Sequence, residues 1–300
     1  GYSSIAECLN LRVHFITLPI PEHAEQLANA KYVPDQGWAL MSDLENLRAD
    51  HNGYFTRLGP DERKLLEVFN IGGGRRVALS ELIETLARQL GTEPVICGNV
   101  GSGTVKEMSQ WVEYINFDGI SPMADLRRVN GREEPWGVKY WGVGNENWGC
   151  GGHMTAEFYA DQYRRYATFC RNYGDNRLKK IAGGSTDGNL RWTEVCMTQI
   201  PHRMMWGLSL HHYMTDWSKK GSATDFSMEE YWKTMTMAVN FGELLDGHIR
   251  VMDQYDPEVR VALVVDEWGT WYAVEPGEAP SALYQQNSLR DAIVAGLTLH

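Results

Sequence analysis

Two glutamates stand directly after apolar runs, and their type and placement make them the strongest candidates for chemistry in this chain. Tyr140-Trp141-Gly142-Val143 ends abruptly in Gly144-Asn145-Glu146, and Arg260-Val261-Ala262-Leu263-Val264-Val265 runs into Asp266-Glu267-Trp268-Gly269. A carboxylate at the mouth of a hydrophobic strand is desolvated, which raises its pKa and keeps it protonated near neutral pH, the state a general acid needs. Two carboxylates flanking a glycosidic bond suffice to break it, one protonating the leaving oxygen and the other attacking the anomeric carbon. At a separation of roughly 5 Å the configuration is retained through a covalent intermediate. Taken singly, each glutamate also has a plainer reading, as a helix cap or the partner of an arginine.

Other polar residues stand beside these two. Gly207-Leu208-Ser209-Leu210 leads into His211-His212-Tyr213, again at the end of an apolar run. A strand-end histidine is read as a hydrogen-bonding group, because no third ligand at suitable spacing accompanies the pair and a metal site is therefore not expected. Trp148, Trp268 and Trp271 are candidates to wall a sugar site, with packing in the core as the alternative. The run Gly72-Gly73-Gly74-Arg75-Arg76 has neither the GxGxxG nor the Walker spacing and reads as a turn.

The elements that must position these residues alternate from Thr92 onward. Strands are expected at 94–100, 138–143, 179–184, 207–213 and 260–265, with helices at 105–114, 154–173, 190–200, 228–255 (partly broken) and 282–300. Phe158, Tyr159, Tyr163, Tyr166 and Phe169 are read as core residues of the second helix. Such alternation means parallel βα units, and the polar residues fall at strand C-terminal ends. That pattern predicts an α/β fold, a (β/α)8 TIM-type barrel, in preference to a doubly wound sheet, since no dinucleotide fingerprint is present. Residues 1–91 are less regular: a strand at 11–18, a helix start at Pro21–Ala28 and an amphipathic helix at Ser80–Leu90, with two or so strands contributed to the barrel. No linker or repeat divides the chain, so 1–300 reads as a single barrel domain with an atypical portion over 1–91.

Composition narrows the partners. The 300 residues carry a formal charge of −11 with 43% hydrophobic content, and the pI is about 5.3. With no basic stripe, neither nucleic acid nor an anionic membrane fits, and a neutral substrate fits better. The 11 Trp and 14 Tyr suit a sugar-binding cleft as well as a core. Five cysteines with no CxxC pair read as reduced thiols. No apolar run reaches the ~18 residues of a membrane helix and no signal peptide opens the chain, so a cytoplasmic location is expected; the start at Gly1 rather than Met reads as a processed or engineered end.

Over about residues 91–300 the sequence resembles the retaining glycoside hydrolases of clan A, and most closely family 51 α-L-arabinofuranosidases. The resemblance rests on Gly144-Asn145-Glu146, Ser209-Leu210-His211-His212-Tyr213 and Asp266-Glu267-Trp268-Gly269, supported by Gly98–Thr104, Trp111–Tyr114, Asn130–Pro135 and Gln286–Asp291. It implies that Glu146 is the acid/base, Glu267 the nucleophile, Asn145 a hydrogen-bond donor to the adjacent sugar hydroxyl and Tyr213 the holder of the nucleophile. It further implies release of arabinofuranosyl residues from arabinose-containing oligosaccharides or polysaccharides, with no cofactor and with homo-oligomers compatible. Another clan A activity (β-glucanase or xylanase) and a catalytically impaired sugar-binding barrel are the alternatives. The family's early Arg-x-Pro-Gly-Gly-Asn-like loop and early Glu have only faint echoes at Asn52–Tyr54 and Gly59–Arg63. An eighth strand and the family's C-terminal β-sandwich are not expected before His300, so the barrel is expected to be incomplete or non-standard at both ends.

Overall fold

The computed structural model describes residues 92–275 and 287–299, together with the backbone of strands at 15–18, 39–41 and 67–71. The expected helices at Pro21–Ala28 and Ser80–Leu90, the turn at Gly72–Arg76, the echoes at 52–54 and 59–63 and the start of the last expected helix lie outside the described residues. The chain forms two compact units: Glu93–Met214 with Val239–Gly269, and Gly1–Thr92 with Thr215–Ala238 and Thr270–His300.

The first of these units contains both glutamates. Its strands are β4 (Val95–Gly98), β5 (Tyr140–Val143), β6 (Lys179–Thr186), β7 (Gly207–Tyr213) and β8 (Ala262–Gly269). All pair in parallel, in the order β4-β5-β6-β7-β8. Chain order and spatial order coincide, which is the βα progression of a barrel; a doubly wound sheet would reverse its order at a switch point. The helices of this unit are α1 (Val105–Asn116), α2 (Pro122–Val129), α3 (Ala156–Phe169), α4 (Leu190–Gln199) and α6 (Phe241–Tyr255), the last following α5 (Met228–Val239), which lies largely in the other unit.

Local chemistry sets these boundaries. Thr104 and Glu107 form a reciprocal capping box at the start of α1. Helix α2 is absent from the sequence reading, although Ser121 caps it and Pro122 fills its first position. The long helix expected over 228–255 is two helices separated at Asn240. Strand β8 extends four residues beyond the expected end, so Asp266 and Glu267 lie within the strand rather than after it.

The core of this unit centres on the fully buried Trp141, Tyr159 and Tyr163. Burying Trp141 alone removes an area that contributes several kcal/mol of the hydrophobic driving force, on the order of 25 cal/mol per Å². Tyr159, Tyr163 and Tyr166 on α3 are core residues as expected, whereas Phe158 and Phe169 are about half exposed, at 52% and 45%. Those two sit off the stripe that faces the sheet.

In the other unit, β1 (Phe15–Leu18), β2 (Ala39–Met41) and β3 (Glu67–Ile71) form a parallel sheet in the order β2-β1-β3. Among the described residues the N-terminal region shows these three strands, and their order is not consecutive. The unit also holds α7 (Leu289–Leu299), where Thr270 and Tyr272 donate to Asp291. Among the described residues no helix is long and apolar enough to cross a membrane.

Candidate active site

Glu146 sits on a turn that only a particular backbone can make. Strand β5 ends with the Gly144 N–H donating to the Gly98 carbonyl at the end of β4, 3.0 Å away. Gly144 has φ +97, and a Cβ there would stand 2.1 Å from Asn147 Oδ1, so no other residue fits. Glu146 itself has φ +44, a conformation that costs a non-glycine residue on the order of 1–3 kcal/mol. Its carbonyl accepts from the N–H groups of Gly149 (2.8 Å) and Gly151 (3.0 Å), which hold the strained turn in place.

Glu267 is aimed by an irregularity in the sheet. Leu210 pairs with Val265 but His211 pairs with Glu267, so Asp266 is an extra residue on β8. Such a bulge re-aims side chains at the end of a strand. Asp266 and Glu267 consequently both reach His211, which is 3% exposed. His211 Nδ1 is 2.9 Å from Glu146 Oε1 and 3.5 Å from Glu267 Oε2, and its Nε2 is 3.3 Å from Asp266 Oδ1. Two positions along β7, the Tyr213 hydroxyl donates to Glu267 Oε1 at 2.5 Å.

The electrostatics follow from these distances. Burial works against a charge on His211, but its hydrogen bonds to Asp266 and Glu146 and the charges of Asp266 and Glu267 outweigh it, raising the imidazole to about 9. The expectation that desolvation raises the Glu146 pKa is overturned. Its carboxyl lies below the ordinary glutamate value, first because of the hydrogen bond with His211; burial opposes this, and a hydrogen bond from Cys150 adds to it. Burial, with the Glu267 hydrogen bond and charge, pushes the Tyr213 phenol up, so it stays a donor.

The remaining expected residues are only partly gathered. Asn145 is exposed beside Glu146. The Trp148 indole donates to the Gly184 carbonyl at 3.1 Å and the ring packs on the core, which favours its core reading. Trp268 pairs with His212, one position out of phase with Glu267, so strand alternation sends it to the opposite face from the nucleophile candidate. His212 lies on that other face, bonded to Asp187 at 2.7 Å and stacked on Phe241. Trp271 belongs to the other unit, where it packs against Trp217. Two residues near the glutamates carried no expectation: Cys150, whose thiol donates to Glu146 Oε2 at 3.1 Å, and Asp266.

One atom each from Glu146, His211 and Glu267 lies within 4.8 Å of the other two. His211 therefore does have two carboxylate neighbours at a spacing that could hold a metal ion, contrary to the expectation drawn from sequence spacing. The same closeness brings a Glu146 oxygen and a Glu267 oxygen within the ~5 Å characteristic of retaining glycosidases.

Residues 64–231 match the family described as the α-L-arabinofuranosidase 1 domain, and residues 266–300 match the α-L-arabinofuranosidase C-terminal domain. The chain belongs to the family 51 α-L-arabinofuranosidases. It is 51% identical over 257 residues to an intracellular exo-α-L-arabinofuranosidase of Bacteroides ovatus, covering 84% of this chain and 50% of that protein. α-L-Arabinofuranosidase C of Emericella nidulans is 31% identical over 225 residues, covering 70% of this chain and 43% of that protein. Among solved structures, the family 51 arabinofuranosidase of Xanthomonas axonopodis pv. citri superposes with a TM-score of 0.67 at 46% identity, over 71% of this chain and 44% of that one. The arabinose complex of the Thermotoga maritima α-L-arabinofuranosidase gives 0.61 at 32% identity, over 75% and 43%. The chain thus has the (β/α) barrel fold of this family in incomplete form, spans about half the length of the relatives it matches, and extends the family likeness upstream of residue 91 to residue 64.

Proposed function

We propose that this chain carries the catalytic centre of a retaining exo-acting α-L-arabinofuranosidase, with Glu146 as acid/base and Glu267 as nucleophile. The observation that carries this reading is the approach of the two carboxyl groups to within 4.8 Å at the ends of β5 and β8. In the first step a Glu267 oxygen attacks the anomeric carbon while Glu146 passes a proton to the leaving oxygen. In the second, Glu146 takes a proton from water, which displaces Glu267 from the sugar. The hydroxyl of Tyr213 fixes the attacking carboxylate by donating to its other oxygen. Asn145, next to the acid on the same turn, is the candidate donor to the neighbouring sugar hydroxyl.

The lowered pKa of Glu146 bears on how the acid is loaded. The hydrogen bond with His211 holds Glu146 Oε1 and lowers the carboxyl, leaving Oε2 to take up the catalytic proton. Entry of a sugar removes water from Glu146 and favours its neutral form, which offsets the lowering by His211 and loads the acid. His211 thus orients the acid, and Asp266, on its far nitrogen, orients the ring.

The arabinose-containing substrate is carried over from the family, as is an intracellular location from the Bacteroides relative. We also read the chain as one catalytic barrel domain. The test is a pair of variants on aryl α-L-arabinofuranosides. Glu267→Ala is expected to abolish turnover. Glu146→Ala is expected to slow poor leaving groups by about 10²- to 10⁴-fold while largely sparing activated ones. Equal, small losses in both would contradict the assignment, and turnover confined to aryl β-glucosides or β-xylosides would move the chain to another clan A activity.

A further inference from the structure

The turn that presents Glu146 also folds a thiol back onto it. Four residues on, Cys150 Sγ lies 3.1 Å from Glu146 Oε2, while His211 holds the other oxygen, Oε1. The fold of the turn produces this contact. Gly149 and Gly151 both donate to the Glu146 carbonyl, and the Gly152 and His153 N–H groups both bond the Gly149 carbonyl. Gly151 passes so close to the chain that a Cβ there would sit 1.9 Å from the Asn145 carbonyl oxygen. The loop is therefore pinned on both sides of Cys150. Its thiol is pushed up first by the hydrogen bond to Glu146, then by burial and by the charge of Glu146, so the sulfur keeps its proton and acts as donor.

We propose that Cys150 is a positioning residue for the acid/base, its thiol holding Glu146 Oε2 in place while leaving that oxygen able to carry the catalytic proton. This rests on the catalytic reading given above for Glu146. The choice of sulfur has a physical reason. The acid must alternate between carboxylate and carboxylic acid in each cycle, and His211 already occupies Oε1, so the proton delivered to the leaving group resides on Oε2. A hydroxyl at position 150 would bond the carboxylate strongly and resist its reprotonation. A thiol is a weak donor that orients the group at little cost to its basicity. Among the described residues the titratable groups facing Glu146 are His211 and Tyr213 from β7, Glu267 from β8 and Cys150 from its own turn; Asp266 acts through His211.

The test uses Cys150→Ala and Cys150→Ser in the full chain, with folding checked by thermal unfolding. For Cys150→Ala, kcat/KM is expected to fall about 3- to 10-fold on substrates with poor leaving groups and to hold on activated aryl arabinofuranosides. The alkaline limb of its pH profile is expected to move up, because a donor to the carboxylate is gone. Cys150→Ser is expected to restore orientation but move that limb down. Losses independent of the leaving group, or unmoved limbs in both variants, would overturn the proposal. A second measurement does not need turnover. Iodoacetamide labelling of Cys150 at pH 8, located by peptide mass, should be several-fold faster in Glu146→Gln than in the unaltered protein, because the carboxylate that holds the thiol proton is removed. Equal rates would count against the contact, whereas an inactive unaltered protein with faster labelling in the variant would sink the catalytic reading and leave the contact standing.

Discussion

His211 decides the charge pattern of the site. It is buried, touches three carboxylates and holds its proton to about 9, so it stabilises the fold only while protonated. Because its folded pKa lies above the ordinary 6.5, that contribution is complete below 6.5 and is lost as pH rises through about 9. Glu146 has the opposite sign: its lowered pKa adds stability above the ordinary 4.5 that is lost as pH falls below it. We therefore expect the melting temperature of the unaltered protein to decline between pH 6.5 and 9 relative to that of His211→Asn, measured in parallel by calorimetry. Parallel curves across that range would contradict the role given to His211. Glu146 and Glu267 were legible as a candidate pair because each follows an apolar run, whereas Tyr213 as the holder of Glu267 came only from the family resemblance. Asp266 and Cys150 were not legible, since their parts depend on a bulge and on a left-handed turn, neither of which leaves a periodic signal. The same limit explains the wrong sign for Glu146: desolvation was visible in the sequence, its histidine partner was not.

At the scale of elements, the strand ends are tied together by buried polar groups rather than by packing alone. The Tyr159 hydroxyl on α3 donates to the Val143 carbonyl at 2.6 Å, the last residue of β5, and accepts from the Gly183 N–H within β6. It thereby fixes the place from which the Gly144–Glu146 turn departs. Tyr159→Phe keeps the ring and leaves both backbone groups without that partner, which is expected to cost about 1–3 kcal/mol in urea unfolding. A loss within error of zero would mean that the ladder holds β5 and β6 unaided. The strands and most helices from 92 onward could be read from apolar runs and 3.6-residue periodicity. Helix α2 escaped because its eight residues are too few to display a helical period, although its Ser-Pro start is a recognisable signal. The break expected within 228–255 is present, and its place at Asn240 was not fixed because apolar periodicity continues across it.

For the whole molecule, the consecutive order β4 to β8 brings two glutamates that are distant in sequence to neighbouring places on one rim. The sequence foresaw a barrel because parallel βα units leave few other arrangements, but it could not foresee the β2-β1-β3 order of the N-terminal strands. The net charge of −11 suits a neutral sugar substrate better than a polyanion. Whether Glu146 and Glu267 act as a retaining pair is read from proton NMR of the first product formed. With an aryl α-L-arabinofuranoside, the α-anomer of arabinofuranose is expected first and the β-anomer only later, by mutarotation. Initial release of the β-anomer would contradict a retaining pair.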